Sequence, residues 1–225
     1  MIMPIRPEVI PFIVAVAVVF GLFAFILRMR KAPAKRVFRF CVLPAAICAA
    51  YLLFFFRDPE RMAPADPAAV VAGADGRVMS IVKLEEKHFL KTECLRISIF
   101  LSLFDVHVNR APIAGRSTFL GYFPGKRLFT FREKSSELNQ HNKILVEGAQ
   151  TRCLVNQIVG PFCRRVVYWP DHDKPVNVLV GERIGMMKFG SRLDMYLPAD
   201  DVEIICKPGD VVRAGETIVA RTRRK

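Results

Sequence analysis

Between Val9 and Leu27 the chain runs 19 residues without a charge, and Arg28, Arg30 and Lys31 close the run. A helix of that length reaches across the hydrocarbon core of a bilayer. A signal peptide would have a shorter apolar stretch, with basic residues ahead of it and small residues at a cleavage site behind it; here the basic cluster follows. A second apolar run, Phe40 to Phe56, has 17 residues, is interrupted by Pro44 and ends at Arg57 and Asp58. It is marginal as a span, and an element lying in the membrane interface is expected. Arg57 to Pro67 is dense in proline and charge, which neither helix nor strand sustains, so it reads as a linker. The predicted organisation is a membrane anchor over residues 1–56, a linker over 57–67 and one main domain over 68–225.

Past the linker the pattern changes to short β-branched runs broken by glycine and proline. Strands are expected at Val70 to Val71, Arg77 to Leu84, Leu95 to Leu101, Ser117 to Phe123, Lys143 to Glu147, Thr151 to Val159, Arg164 to Trp169, Val176 to Val180, Met186 to Phe189, Leu193 to Leu197, Val202 to Ile204 and Thr217 to Ala220. A short helix fits best at Arg132 to Gln140. The fold class expected is a mainly β (α+β) domain preceded by one or two membrane-associated helices. Val70 to Val78 resembles Pro208 to Ile218, and the second segment looks like half of a lipoyl- or biotinyl-type barrel-sandwich, with Gly209 and Gly215 at its tight turns. A non-catalytic, membrane-anchored carrier or adaptor is therefore one functional reading. Against it, the segment lacks the exposed lysine in a tight turn that such carriers modify.

Charge sharpens the membrane reading. The net charge is +13, and the first 61 positions hold nine basic residues against three acidic ones, beside the apolar runs. That distribution suits an anionic lipid surface. Nucleic acid is excluded as a partner on the absence of zinc-finger spacing, a glycine-aromatic RNA-binding signature and any long basic helix beyond Arg28 to Arg39. The six cysteines are scattered without a C-x-x-C pair, so neither a metal site nor a disulfide framework is expected, and free thiols in a reducing compartment are.

Two segments carry candidate chemistry. In Val180 to Pro198 stands the one Gly-Ser pair of the chain, Gly190-Ser191, between two strand-like runs. Glycine leaves its carbonyl open and tolerates strained backbone angles, so the following hydroxyl can reach that carbonyl and an N-to-O acyl shift becomes sterically possible. The dipeptide by itself also fits an ordinary bulge or turn. In Phe100 to Gly115 a polar cluster, Asp105, His107, Asn109 and Arg110, interrupts an apolar run. On a strand the first three would share a face, with Arg110 on the other. A lone histidine among polar neighbours fits a structural role as well as a base.

Together these segments resemble the phosphatidylserine decarboxylase family, in its shorter membrane-associated branch. The matching motifs are F-F-F-R-D-P-E-R at Phe54 to Arg61, A-D-G-R-V at Ala74 to Val78, S-L-F-D-V-H-V-N-R-A-P at Ser102 to Pro112, and G-x-R-x-G-x-x-x-F-G-S-R-x-D-x-Y-L-P from Gly181 to Pro198. The resemblance implies a proenzyme that cuts itself between Gly190 and Ser191 into a β chain, 1–190, and an α chain, 191–225, which stay associated. Ser191 would become a covalent pyruvoyl cofactor that forms a Schiff base with the lipid head group and decarboxylates phosphatidylserine to phosphatidylethanolamine. It further implies His107 as proton donor and Asp75 as partner in self-cleavage; Asp75 also fits a plain turn residue before Gly76.

The chain departs from the longer branch in carrying Arg110 where that branch has a second histidine. Either His107 alone serves or the base is supplied differently, with Arg110, and Asn109 beside it, assigned to the substrate carboxylate or phosphate. A pyruvoyl decarboxylase of another aminolipid, such as archaetidylserine, is a second alternative. Six basic residues between the two apolar runs would place the domain outside if both runs spanned. The family's substrate supply and the unpaired cysteines point inside instead. The expectation is a hairpin or interfacial anchor in the cell (inner) membrane, with the catalytic domain on the cytoplasmic face.

Overall fold

A computed structural model describes residues 4–126, 128–130, 135–161 and 166–223, with the backbone alone at 135 and 137. By contact clustering the chain divides into Met1–Glu60 and Arg61–Lys225.

The first unit is built on two helices, α1 (Pro7–Met29) and α2 (Ala34–Phe55), each long and apolar enough to cross a membrane. Small residues let them approach: Ala17, Gly21 and Ala24 of α1 line a groove with Ala45 and Ala49 of α2. Phe12 and Phe56 pack 5.4 Å apart, and the Arg6 amide donates to the Phe56 carbonyl, which ties the outer ends together. The second helix is longer than the 17-residue apolar run suggested, because Pro44 does not break it. A π-turn at Phe38–Val42 precedes the proline, and there the Leu43 amide bonds to Phe38, five residues back. That widened turn takes up the ring and the missing donor.

The second unit is mainly β, as the strand density implies. Its strands are β1 (Ala69–Val71), β2 (Gly76–Glu86), β3 (Thr92–Leu101), β4 (Val108–Arg110), β5 (Gly115–Phe123), β6 (His141–Glu147), β7 (Arg152–Val159), β8 (Val167–Tyr168), β9 (Val176–Val178), β10 (Arg183–Met186), β11 (Ser191–Pro198), β12 (Val202–Ile204), β13 (Val211–Val212) and β14 (Ile218–Thr222). One short helix, α3 (Ser135–Leu138), precedes β6. Of the helix expected at Arg132 to Gln140, residues 132–134 lie outside the described residues, as do the first two residues of the strand expected at Arg164 to Trp169.

All pairings between the named strands are antiparallel: an eight-stranded sheet in the order β13-β2-β3-β11-β7-β6-β5-β9, and two three-stranded sheets, β1-β14-β12 and β4-β10-β8. The two similar segments find each other. β1 pairs with β14 and β2 with β13, while the Gly215 amide reaches Ala72 and the Gly209 amide reaches Val78. The apolar core lies on the face of the eight-stranded sheet that presents Ile97, Ile99, Val155, Leu193 and Met195, and the small sheets close over it with Val70, Ile184 and Val219. Burying such side chains stabilises by roughly 1.5–3 kcal/mol each, before conformational entropy is counted.

Candidate active site

Ser191 opens β11, the strand at the middle of the large sheet, opposite Leu101 of β3 and Val159 of β7. Side chains alternate along a strand, so Ser191 shares the core face with Leu193, Met195 and Leu197. Its hydroxyl is fully buried and has no hydrogen-bond partner among the described residues. A buried hydroxyl left unbonded costs about 1–3 kcal/mol.

The backbone before it is strained. Phe189 has φ +56° and Gly190 φ +71°, two left-handed residues in succession directly ahead of the Gly190-Ser191 bond. Glycine holds that conformation at no steric cost, whereas for a phenylalanine it costs roughly 1–2 kcal/mol. The strand expected at Met186 to Phe189 accordingly stops at Met186, and residues 187–190 are a connector from β10 to β11. Apart from its chain neighbours, no heavy atom of the described residues lies within 4 Å of where a Gly190 Cβ would stand. The Gly190 carbonyl accepts a hydrogen bond from the Thr130 hydroxyl at 3.3 Å.

His107 stands at the other end of the same connector. Its carbonyl accepts from the amide of Met187, and its Nδ1 lies 3.0 Å from the Asp105 carbonyl. The ring is fully buried. Asp105 is not on a strand: its carboxylate accepts from the amide and hydroxyl of Ser102 and closes the turn after β3. Asn109 is on β4, and its Oδ1 accepts from Gln157 Nε2 at 2.8 Å; Gln157 in turn accepts from Asn142. Because Gln157 is the register partner of Leu193, this amide relay meets β11 one same-face position from Ser191. The Asn109 Nδ2 is buried without a partner among the described residues.

Asp75 and Arg110 sit differently. The Asp75 carboxylate, 8% exposed, receives both Nη atoms of Arg61, at 2.5 and 2.7 Å, and the Ala214 amide at 2.8 Å. Its neighbour Gly76 packs on the end of β3 opposite Ser191, where a Cβ would strike the backbone of Phe100 and Leu101, while the Asp75 carboxylate itself is engaged by Arg61 and Ala214. Arg110, 4% exposed, donates from Nη1 to the Gly181 carbonyl at 2.9 Å. No group of three His, Cys, Asp or Glu is gathered for a metal among the described residues.

Behind β11, on the face away from Ser191, Arg192 and Asp194 are both fully buried. Arg192 Nε donates to Asp194 at 2.7 Å and Nη2 to the Ser98 hydroxyl at 2.7 Å, while the Ser136 hydroxyl donates to Asp194 at 2.6 Å. Sequence reading assigned nothing to Arg192, Gln157 or Thr130. For Arg192 and Asp194 a signal existed, two charges inside the strand that carries the Gly-Ser motif.

Fold and site thus define a β-sheet domain, joined to two membrane-length helices, whose central strand begins at a Gly-Ser bond preceded by a left-handed phenylalanine, with a buried hydroxyl that has no partner among the described residues. Residues 48–220 match the family model for phosphatidylserine decarboxylase. The chain is 37% identical over 219 residues to the phosphatidylserine decarboxylase proenzyme of Desulfotalea psychrophila, covering 97% of this chain and 96% of the relative. It is 42% identical over 174 residues to the proenzyme of that name from Symbiobacterium thermophilum, covering 77% and 80%, and 45% identical over 171 residues to that from Prosthecochloris aestuarii, covering 76% and 77%. The chain belongs to the phosphatidylserine decarboxylase family.

Proposed function

We propose that this chain is a phosphatidylserine decarboxylase made as a proenzyme. The Ser191 hydroxyl attacks the Gly190 carbonyl to give an ester, β-elimination releases residues 1–190 with a Gly190 carboxylate, and the dehydroalanine left at residue 191 takes up water and loses ammonia to become a pyruvoyl group at the head of residues 191–225. The observation that carries this reading is the left-handed pair Phe189-Gly190 set directly before a buried hydroxyl with no competing hydrogen bond among the described residues. Backbone strain at Phe189, next to the scissile linkage, and an unengaged nucleophile both favour an acyl shift that an ordinary turn would not undergo. Both features suit formation of the group from this residue.

The pyruvoyl ketone supplies an electron-withdrawing carbonyl that captures the amine of the serine head group and takes up the electron pair released with carbon dioxide. His107, buried at the far end of the connector, supplies the proton that completes phosphatidylethanolamine. The Asn109 amide, aimed by Gln157 and Asn142, offers its Nδ2 to the substrate carboxylate. Asp75 supports self-cleavage from across β3 by fixing Arg61 and the Ala214 amide. Arg110 holds Gly181 and with it the start of the Gly181 to Pro198 segment.

A denaturing gel tests the core of this. The wild-type chain should run as two pieces, the smaller with a blocked, ketone-bearing N-terminus by mass spectrometry. Ser191→Ala should leave one band at 25.5 kDa and no decarboxylation. A single band from an active wild-type preparation would refute the reading.

The two apolar helices serve as a membrane anchor, a hairpin or interfacial element that brings the catalytic unit to its anionic lipid in the cell (inner) membrane; the free cysteines support placing that unit on the cytoplasmic face. Cys206, half-buried in the catalytic unit, reports the side: in intact cells it should resist an impermeant thiol reagent and react after lysis. Labelling before lysis would put the unit outside.

A further inference from the structure

The Gly190 carbonyl is held by a group that no motif announces. Val159 closes β7 directly opposite Ser191. The Asn139 side chain donates to the Val159 carbonyl at 3.1 Å and grips Leu128 at both backbone groups, donating to its carbonyl at 2.7 Å and accepting from its amide at 2.9 Å. Leu128 is thereby fixed beside the end of β7. Two residues on, Thr130 is 3% exposed, and its hydroxyl reaches the Gly190 carbonyl at 3.3 Å. The approach depends on a missing side chain. A Cβ on Gly160 would lie 3.1 Å from the Gly190 oxygen and 3.5 Å from Thr130 Cγ2, so any larger residue there would crowd the carbonyl against the threonine.

We propose that Thr130 is a catalytic residue of self-cleavage, its hydroxyl stabilising the oxyanion that forms on the Gly190 oxygen. The proposal rests on the reading of Gly190-Ser191 as the cleaved bond. In the first step the Ser191 Oγ forms a bond to the Gly190 carbonyl carbon and loses its proton, while the π pair of the carbonyl moves onto the Gly190 oxygen. In the second, that pair returns, the bond from the carbon to the Ser191 nitrogen breaks, and the nitrogen takes up a proton, leaving an ester. The Thr130 O–H stays whole throughout.

The length of the contact favours this role. At 3.3 Å the hydroxyl binds the neutral carbonyl weakly. As the carbon becomes tetrahedral and the oxygen gains a full charge, the same hydrogen bond becomes charge-assisted and shortens. A donor that gains strength only in the transition state lowers the barrier, whereas one already strong in the ground state does not. Thr130 and Ser191 are buried while Gly190 is partly exposed, so water reaches the developing charge only in part and a fixed donor adds to what solvent supplies.

The test follows cleavage of the full chain by gel after a pulse of cell-free synthesis into membranes. Thr130→Val keeps the shape and removes the donor, and it should slow cleavage on the order of 10²-fold, the loss typical of one oxyanion donor. Thr130→Ser should cleave close to the wild-type rate. In a Ser191→Ala background, where nothing cleaves, the Val variant and its parent should melt alike in detergent, which separates chemistry from folding. Cleavage of Thr130→Val at the wild-type rate would overturn the proposal, as would a loss matched by a fall in melting temperature. A wild-type chain that stays whole would sink the self-cleavage reading itself, and shows before any Thr130 variant is made.

Discussion

His141 couples folding to pH through one ring. It is 8% exposed, stacks on Phe123 at 5.3 Å, and places Nδ1 2.7 Å from the Asn139 carbonyl. Burial holds its pKa below the ordinary 6.5, with the nearby Lys143 pushing the same way, while the Asn139 carbonyl and Asp194 pull less strongly upward. The unfolded chain therefore takes up a proton on this ring at a higher pH than the folded chain does. Stability conferred by a neutral His141 is fully present above about pH 6.5 and is lost as pH falls below it toward the lower folded value. His141→Gln in the Ser191→Ala precursor should flatten the decline in melting temperature between about pH 7 and 5; an unchanged slope would assign that decline to other groups. The same neighbourhood shows what a local pattern can reveal. Gly190, Ser191 and His107, the residues proposed for the site, stand in short motifs that the sequence displays. Thr130 does not, because its use arises from an approach between residues 60 positions apart, and a threonine beside Phe129 has no local mark of it.

At the scale of elements the misreadings share a cause, which is that a periodic pattern reports which side chains are buried and not how the backbone turns between them. Met186 to Phe189 is apolar enough for a strand, yet its last residue is left-handed, so the ladder ends at Met186 and begins again at Ser191. β4 and β13, three and two residues long, lie below the length at which alternation can be recognised. Pro44 suggested a break in the second apolar run, and a π-turn carries the helix through it. β11 is the opposite case, since its eight residues are all buried, which a half-exposed strand would not permit. Both its faces need partners: the core takes Leu193, Met195 and Leu197, and on the other face Arg192 and Asp194 neutralise each other with Ser98 and Ser136 filling their remaining bonds. Two buried charges without such pairing would cost several kcal/mol each, so the polar face of β11 is built around this pair and holds the strand to its register.

Across the whole molecule, cutting at Gly190 removes a connection without removing a surface. The 35 residues from Ser191 to Lys225 contain β11, β12, β13 and β14. β11 lies between β3 and β7, registered over eight residues on one side and six on the other, and β14 lies between β1 and β12. Every strand that flanks β11 therefore belongs to the larger piece, and Leu193, Met195, Leu197, Val202 and Val219 are part of the common core. Cleavage there would relieve Phe189 of its left-handed strain and leave these ladders intact from Arg192 onward. Separating the pieces would mean opening the central sheet on both sides of β11 and exposing the core, which is global unfolding. The two pieces should accordingly co-elute on size exclusion in mild detergent, and the smaller should be released only at denaturant concentrations that also abolish the β-sheet circular dichroism signal. Release of residues 191–225 under conditions that leave the remaining signal native would show that the small piece rests on the sheet's edge and is not its central strand.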